Sequence, residues 1–496
     1  MFSFPVFDSA FYLVAAPVLI LVAGSLVALM QSVFKPISGQ GAVELVTTGS
    51  IAAALLAGLA MPGSLQDFVA GALLSGALSR FGVILILAVA LVVCLMMREH
   101  HIAKAFFRGE VASIFLMLLS GMLVMVASDD VVTLFVGLEL ASIGLYVVLG
   151  YIQPNRRSQE GAIKYFILGS VGAAILLFGF ALLYAACGTL RLSEMVAALP
   201  AVANHGWAQL GGMLVLAGIG FKMALVPFHM WAPDAYESAP TGITAFMATT
   251  VKVMVLVVAL RMFTAAAVSM DDVWQPGFIV LAALSMIVGN VMALVQTNLK
   301  RMLAYSSIAH SGYMAVAIVA LSAAGATLPV RAILFYLLTY VIVSLGAFGV
   351  LMALETAEND QLTVDDLSGL SKKSPWVALA LTVFMFSFGG MPPTAGFIGK
   401  FFVFNAALNN HLYGLVVVGV IGSSISLFYY LRLVVRMYMG ESAGAPFGAI
   451  RPVSRIFSVN SGVMAFAVIA TILLGTVLPG VAMERLNRAA TEVARK

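Results

Sequence analysis

Charge is scarce in this 496-residue sequence. Asp, Glu, Lys and Arg make up 10% of it and apolar residues 62%, against roughly 25% and about 45–50% in soluble domains. No water-soluble fold hides so much apolar surface, and a mean hydropathy of +1.06 leaves no disordered tail or nucleic-acid-binding arm. Cysteine is almost absent: Cys94 and Cys187 lie far apart in apolar runs, which excludes a cysteine metal cluster and a disulfide framework. No polar stretch is long enough for a separate catalytic domain. The segment ahead of the first apolar run holds Asp8 and no base, so the basic region of a cleavable signal peptide is missing and the N-terminus is expected to be retained.

What the chain has instead is membrane spans. A window of about 19 residues finds apolar runs at 10–30, 42–61, 81–97, 111–127, 131–152, 161–187, 208–228, 242–263, 276–296, 302–321, 330–354, 375–407, 412–434 and 457–479. The expected fold is an all-α polytopic membrane protein with fourteen transmembrane helices. Bases distribute unevenly between its loops. Lys35, Arg98, Lys104, Arg108, Arg156, Arg157, Lys300, Arg301, Lys372, Lys373, Arg432, Arg436, Arg451 and Arg455 follow odd-numbered spans. Only Arg80, Arg191, Arg261 and Arg331 follow even-numbered ones, where the acids Asp129 and Asp130 also fall. Bases accumulate on the cytoplasmic side, so the odd loops are cytoplasmic and both termini lie outside; the tail bases Arg485, Arg488, Arg495 and Lys496 are a mild exception.

Two spans are interrupted by proline. Span seven ends GFKMALVPFHMW, with Pro227 behind Lys222, and span twelve reads FGGMPPTAGFIGKFF, with Pro392 and Pro393 ahead of Lys400. Proline frees backbone carbonyls, and a broken helix survives in hydrocarbon only where it faces protein or a watery cavity. Breaks in corresponding positions of two halves point to a transport site. Spans 4–8 and 9–13 would form two five-helix units, each broken at its fourth span; an odd count makes the second unit inverted. The chain then divides into 1–110 with three N-terminal helices, 111–263 and 264–436 as the two units, and 437–496 as a last helix and tail.

Four lysines, Lys164, Lys222, Lys252 and Lys400, and one acid, Glu139 in VGLELASIGLYVVLGY, fall inside spans. Each charge costs about 2.5–3.5 kcal/mol at mid-helix, so five at full depth would cost about 15 kcal/mol. At about 1.5 Å per residue, Glu139, Lys222, Lys252 and His310 come near the midplane, while Lys164 stays close to the cytoplasmic edge. Structural readings stand beside functional ones. Lys164 can snorkel to the interface; Glu139, Lys222 and Lys252 can form a purely structural ion pair; His310 can bond Ser307 or Tyr313; His229 can cap a loop. Asp129, Asp130, Asp271, Asp272 and the acids from Glu355 to Asp366 read as solvated loop charges. The functional reading rests on desolvation: it weakens an ammonium's hold on its proton, and a nearby carboxylate restores it. A Glu139–Lys222 pair that opens and closes would switch a lysine between holding and releasing a proton, and lysines along one midplane bridged by His310 and water would form a relay. The residues thus point to ion or proton translocation without naming its driving force.

The segments GLELASIGLYVVLGY, EGAIKYFILGS, FKMALVPFHMWAPDAYESAPTGITAFMATTVKV, NLKRMLAYSSIAHSGYM and DDLSGLSKKSPWVALALTVFMFSFGGMPPTAGFIGKF resemble the antiporter-like membrane subunits of respiratory complex I. Subunit N, counterpart of mitochondrial subunit 2, is the most similar. The subunit M type usually has glutamate where Lys400 stands, and subunit L carries a long lateral helix, whereas about seventeen residues follow span fourteen here. Multisubunit cation/proton (Mrp-type) antiporters share the PDAY-like loop and remain the alternative. Gly242 departs from the more usual proline.

The resemblance covers spans 4–13. It implies a fourteen-helix fold with two inverted units, and proton translocation driven by an NADH:quinone oxidoreductase in a bacterial inner membrane. Glu139 and Lys222 would pair in a first half-channel, Lys252 would be the central relay and Lys400 the terminal carrier. Lys164 and His310 would be further polar positions, and His229 an accessory one. Flavin, iron–sulfur clusters, NADH and quinone would belong to partner subunits of the membrane arm and the redox arm; this chain has neither a dinucleotide-binding glycine motif nor a cysteine cluster.

Overall fold

In hydrocarbon a backbone must satisfy its own hydrogen bonds, and for long runs of Leu, Val, Ala and Phe the helix does so within the segment. The computed structural model describes residues 9–34, 40–64, 66–68, 72–151, 156–202, 205–266, 271–321, 327–356, 359–440 and 458–494. Its elements are α1 (Ser9–Phe34), α2 (Gln40–Ala60), β1 (Gln66–Phe68), β2 (Leu73–Ser75), α3 (Ala77–Arg98), α4 (Ala103–Phe106), α5 (Gly109–Val126), α6 (Val131–Tyr151) and α7 (Arg156–Cys187). There follow α8 (Leu192–Ala198), α9 (His205–Lys222), α10 (Trp231–Ser238), α11 (Thr241–Ala266), α12 (Asp271–Leu294), α13 (Leu299–Val319) and α14 (Thr327–Leu354). The last are α15 (Leu370–Lys373), α16 (Pro375–Gly389), α17 (Ala395–Asn409), α18 (Tyr413–Met439), α19 (Val459–Thr476) and α20 (Pro479–Ala494). Among the described residues, twelve helices are long and apolar enough to cross a membrane: α1, α2, α3, α5, α6, α7, α11, α12, α13, α14, α18 and α19. The protein is a multi-span, helical membrane protein.

One short piece departs from the all-α expectation. β1 and β2 form an antiparallel hairpin between α2 and α3, pairing Gln66 with Ser75 and Phe68 with Leu73. It lies outside the apolar runs, and Leu74 N donates to Ala127 O at 2.5 Å, tying it to the end of α5. The residues after span fourteen are likewise not a loose tail: α20 packs its Met483, Leu486, Ala489 and Val493 into the fold.

The two interruptions fall where the prolines predict. α9 stops at Lys222 and helix resumes at Trp231; α16 stops at Gly389 and α17 begins at Ala395. Gly390, at φ 79°, closes α16 in the left-handed region that favours glycine. Val226–Pro227 and Pro392–Pro393 are cis.

Contacts tie helix ends together. Arg98 pairs with Glu44, Glu99 accepts from the backbone N–H of Val459 and Asn460, and Arg436 O accepts from Gly369 N. At the opposite end of α3, Glu492 of α20 accepts from Ala77 N, and Asp130 bridges to Arg191. Several charges expected in loops are elsewhere. Arg261 is buried within α11, donating to Ser128 O, to Ser79 Oγ at 2.8 Å and to Val126 O at 3.0 Å. Lys300 is buried in the first turn of α13. Asp129 is buried and accepts from Ser193 Oγ at 2.5 Å. The Glu355 side chain is buried, accepting from Thr241 Oγ1 and lying 3.3 Å from His100 Nε2. Arg261 lies inside the run 242–263; the other three sit where helix ends meet, so a residue outside an apolar run is still enclosed. Asp8, Lys35, Arg451, Arg455, Arg495 and Lys496 lie outside the described residues, as do the side chains of Asp271 and Asp272.

α11 and α13 form the centre: every described side chain of α11 is buried, and in α13 all but Arg301 are. Close helix approaches surround them. A Cβ on Gly121 of α5 would stand 2.7 Å from Ala141 N and from Gly137 O of α6, and one on Gly289 of α12 would stand 2.7 Å from Ala309 N of α13. Backbone cannot retreat as a flexible side chain does, so added volume must push whole helices apart. Gly121→Leu should therefore destabilise the protein by about 1–3 kcal/mol, the usual cost of overpacking. Thermal unfolding in detergent checks this: a lower midpoint is expected, and an unchanged one would show that α5 and α6 separate freely.

Candidate functional site

Lys222, 4% exposed, is the last residue of α9. Its Nζ donates to Ser142 Oγ at 2.8 Å, and that hydroxyl donates to Leu138 O at 2.6 Å. Glu139 is one turn earlier on α6. The expected Glu139–Lys222 ion pair is not formed: Ser142 takes the ammonium, and Glu139 Oε1 is buried without a hydrogen-bond partner. The two charges still act on each other electrostatically.

Lys252, also 4% exposed, comes from the middle of α11. Its Nζ donates to Ser307 O at 3.1 Å and to Ser311 Oγ, and lies 5.6 Å from the Tyr340 ring centroid. Tyr340 donates to Ser307 Oγ at 2.9 Å. His310 is on the same helix as these serines. It bonds neither Ser307 nor Tyr313: Nδ1 is 2.6 Å from the Tyr336 hydroxyl and Nε2 3.4 Å from that of Tyr430, which itself bonds Ser306 Oγ at 2.5 Å. At 100° per residue, Ser307 and His310 project from neighbouring positions of one helical face, so α14 and α18 supply the partners instead.

Lys400 follows the second break and is 5% exposed. Its Nζ donates to Phe388 O at 3.0 Å, Gly389 O at 3.2 Å and Ser423 Oγ at 2.8 Å. In an unbroken helix those two carbonyls would accept from residues 392 and 393, which are prolines without an N–H. The ammonium also lies 4.7 Å from the Tyr313 ring centroid, and the Tyr313 and His310 rings are 5.9 Å apart edge to face. Lys252, His310 and Lys400 thus share one buried cluster lined by Ser306, Ser307, Ser311, Tyr313, Tyr336, Tyr340, Ser423 and Tyr430. No direct hydrogen bond joins Lys222 to it among the described residues.

Lys164 does not belong to this interior. Its side chain is 47% exposed and pairs with Glu160 at 2.7 Å and Asp234 at 3.0 Å. Two turns into α7 it reaches the edge of the fold, where with Arg157, Glu237, Ser238 and Arg301 it lines a polar cavity of about 210 Å³. The Asp234 carboxylate of this cavity accepts from Arg301 Nη1 at 2.7 Å and from Lys164 Nζ at 3.0 Å. His229 lies in the irregular segment before α10. Its ring bonds the backbone at Pro227 within the break, while Nδ1 is buried without a hydrogen-bond partner and the backbone carbonyl of His229 accepts from Ala232 N at 3.0 Å.

Apart from Ser307 and Tyr313, named as partners of His310, sequence reasoning missed the hydroxyl residues. Spacing held a signal: Ser307 and Ser311 are i and i+4 on α13, Tyr336 and Tyr340 are i and i+4 on α14, and Ser142 is i+3 from Glu139. Which helix each faces could not be read from spacing. Among the described residues no group of three or more His, Cys, Asp or Glu could hold a metal ion.

Residues 128–426 match the family described as NADH:quinone oxidoreductase/Mrp antiporter, TM. An NADH-quinone oxidoreductase subunit N from Rhodospirillum rubrum is 36% identical over 479 residues, 96% of each chain. The chain belongs to the NADH-quinone oxidoreductase subunit N family. A chain of respiratory complex I from Thermus thermophilus, solved with bound aureothin, has a TM-score of 0.77 at 31% identity, covering 94% of this chain and 98% of that one. A chain of the Mrp complex from a Dietzia species has a TM-score of 0.82 at 20% identity over 97% and 98% of the two chains, a likeness of fold alone.

Tyr336→Phe removes the shorter partner of His310 and leaves a buried ring nitrogen unpaired. The expected cost is about 1–3 kcal/mol, read as a lower midpoint of thermal unfolding; an unchanged midpoint would mean that another group takes Nδ1.

Proposed function

We propose that this chain is a proton-translocating membrane subunit of a bacterial NADH:quinone oxidoreductase. Electron transfer, with its flavin, iron–sulfur clusters, NADH and quinone, belongs to partner subunits. The observation that carries this reading is the cluster of Lys252, His310 and Lys400, buried together and bridged by hydroxyl groups. Ammonium groups are expensive in such an interior, and a merely structural role is better served by apolar residues of similar volume. The Mrp antiporter alternative is weaker, because relatives named subunit N align over nearly the whole chain.

The proposed first half-channel uses Glu139 and Lys222. With Ser142 holding the ammonium and Glu139 Oε1 unpaired, the arrangement is the open form of an ion pair. Closing it would stabilise the protonated lysine, and opening it would favour release toward Lys252. Lys252 is the central relay, His310 the bridge and Lys400 the terminal carrier. His229 is an accessory group at the first break, and Lys164 holds Asp234 at the edge of the path without carrying protons itself. A lysine that gives up its proton becomes an acceptor for the hydroxyl that it previously donated to, so Ser311 and Ser423 can remain bonded in both states.

Twelve continuous spans plus α9/α10 and α16/α17 give the fourteen crossings. The proposed units are α5, α6, α7, α9/α10 and α11, then α12, α13, α14, α16/α17 and α18, each broken at its fourth member. The matching glycine contacts of α5 with α6 and α12 with α13 support the repeat. They correspond to 111–263 and 264–436, between an N-terminal part, 1–110, and a C-terminal part, 437–496. The base-rich face with Arg98, Lys372 and Arg436 is taken as cytoplasmic, with both termini on the periplasmic side.

Lys222→Ala, Lys252→Ala and Lys400→Ala, each in the assembled complex in proteoliposomes, should lower the number of protons moved per NADH oxidised. Simultaneous proton-uptake and NADH-oxidation traces give this ratio. A complex that keeps the full ratio without Lys252 would overturn the assignment.

A further inference from the structure

α10 is eight residues long, too short to hold its own position in a membrane protein. Its surroundings fix it at both ends. At the start, Trp231 Nε1 donates to Phe221 O at 3.0 Å, the carbonyl next to Lys222, and the Trp231 ring stacks on Tyr165 of α7 at 4.4 Å. Along its length, Asp234 uses both carboxylate oxygens: Oδ2 accepts from Lys164 of α7 at 3.0 Å and Oδ1 from Arg301 of α13 at 2.7 Å. Arg301 also pairs with Glu237 at 2.9 Å. Beyond its end, the buried ammonium of Lys300 donates to Ala239 O at 3.0 Å, a cation placed at the negative pole of a helix. Asn298 caps α13 by accepting from Arg301 N at 3.0 Å, so the two bases project from a fixed first turn.

Ser307 and Ser311, which hold Lys252, lie six and ten residues beyond Arg301 on the same unbroken helix, or about 9 and 15 Å along it. We infer that Asp234, Arg301 and Lys300 are positioning residues that clamp α10 to α13, so that a shift of the α9 end at Lys222 is passed to the serines beside Lys252. The clamp couples the two lysines without a hydrogen bond between them. Lys164 then serves as the anchor of Asp234 on α7. Such coupling is a claim about free energy between two sites, and perturbing the link must change how the sites work together.

This inference rests on the proposed proton-translocating role of Lys222 and Lys252. The test uses the assembled complex in proteoliposomes, with protons moved per NADH, NADH-to-quinone turnover and assembly on native gels measured together. Asp234→Asn should lower the proton ratio while turnover and assembly persist, Asp234→Glu should restore it, and adding Lys164→Met to Asp234→Asn should cause no further loss. If Asp234→Asn fails to assemble, Glu237→Gln, which removes one of two carboxylates from Arg301, should give a smaller loss of the same kind. The clamp is overturned if the proton ratio of an assembled Asp234→Asn complex, or of the Glu237→Gln complex used in its place, stays at the wild-type value, if Asp234→Glu fails to restore it, or if Lys164→Met adds its own loss. A wild-type ratio in both Asp234→Asn and Lys252→Ala would instead sink the proton-relay reading on which the clamp rests.

Discussion

An ammonium group inside hydrocarbon needs acceptors on several sides, and this requirement organises the fold. Lys400 meets it with two carbonyls and a hydroxyl, Lys252 with a carbonyl and a hydroxyl, Lys222 with a hydroxyl. In a continuous helix each carbonyl already accepts from the N–H four residues on and has only its second lone pair to offer, as Ser307 O offers to Lys252. Prolines at 392 and 393 release two of them, and the neighbouring helices close around the gap. The deeply buried α11 and α13 carry Lys252, His310 and the serines, while helices such as α1, α7 and α18 present much of their apolar surface outward.

The two breaks solve the same problem differently. Lys400 follows its break and reaches back to carbonyls of the helix before it. Lys222 precedes its break, and the adjacent Phe221 carbonyl is already occupied by Ala224 N and Trp231 Nε1. Its ammonium therefore turns to Ser142 on another helix. That leaves Glu139 Oε1 buried without a hydrogen-bond partner, whereas Lys400 has three acceptors. One local motif, a proline behind or ahead of a lysine, thus yields two sites with different partners.

Charges at helix ends form a further layer. Asp129 and Glu355 are enclosed by the pieces they join, and Arg261 ties α11 to the ends of α3 and α5. An acid or base just outside an apolar run is solvated only if the loop stands clear of the bundle. Here the connections between crossings are mostly short, so loop residues pack against neighbouring helix ends and their charges must be matched there.

Much of this was legible beforehand. Twelve spans are separate apolar runs long enough to cross a bilayer, and both interruptions are marked by prolines. Lys222, Lys252, Lys400 and His310 stood out because hydrocarbon makes polar residues costly wherever they fall in a span. The sequence by itself determined which groups had to be buried and which backbone carbonyls would be free, because span length, proline chemistry and the cost of charge are local properties. Only tertiary structure decided their partners: Ser142 rather than Glu139 for Lys222, Tyr336 and Tyr430 rather than Ser307 or Tyr313 for His310, an exposed ion-pair network for Lys164, burial for Asp129, Lys300 and Glu355. Those outcomes depend on helix rotation and on which ends meet, and residues 80 to 138 positions apart in the chain, such as Ser142 and Lys222 or Arg432 and Leu294, meet by packing alone.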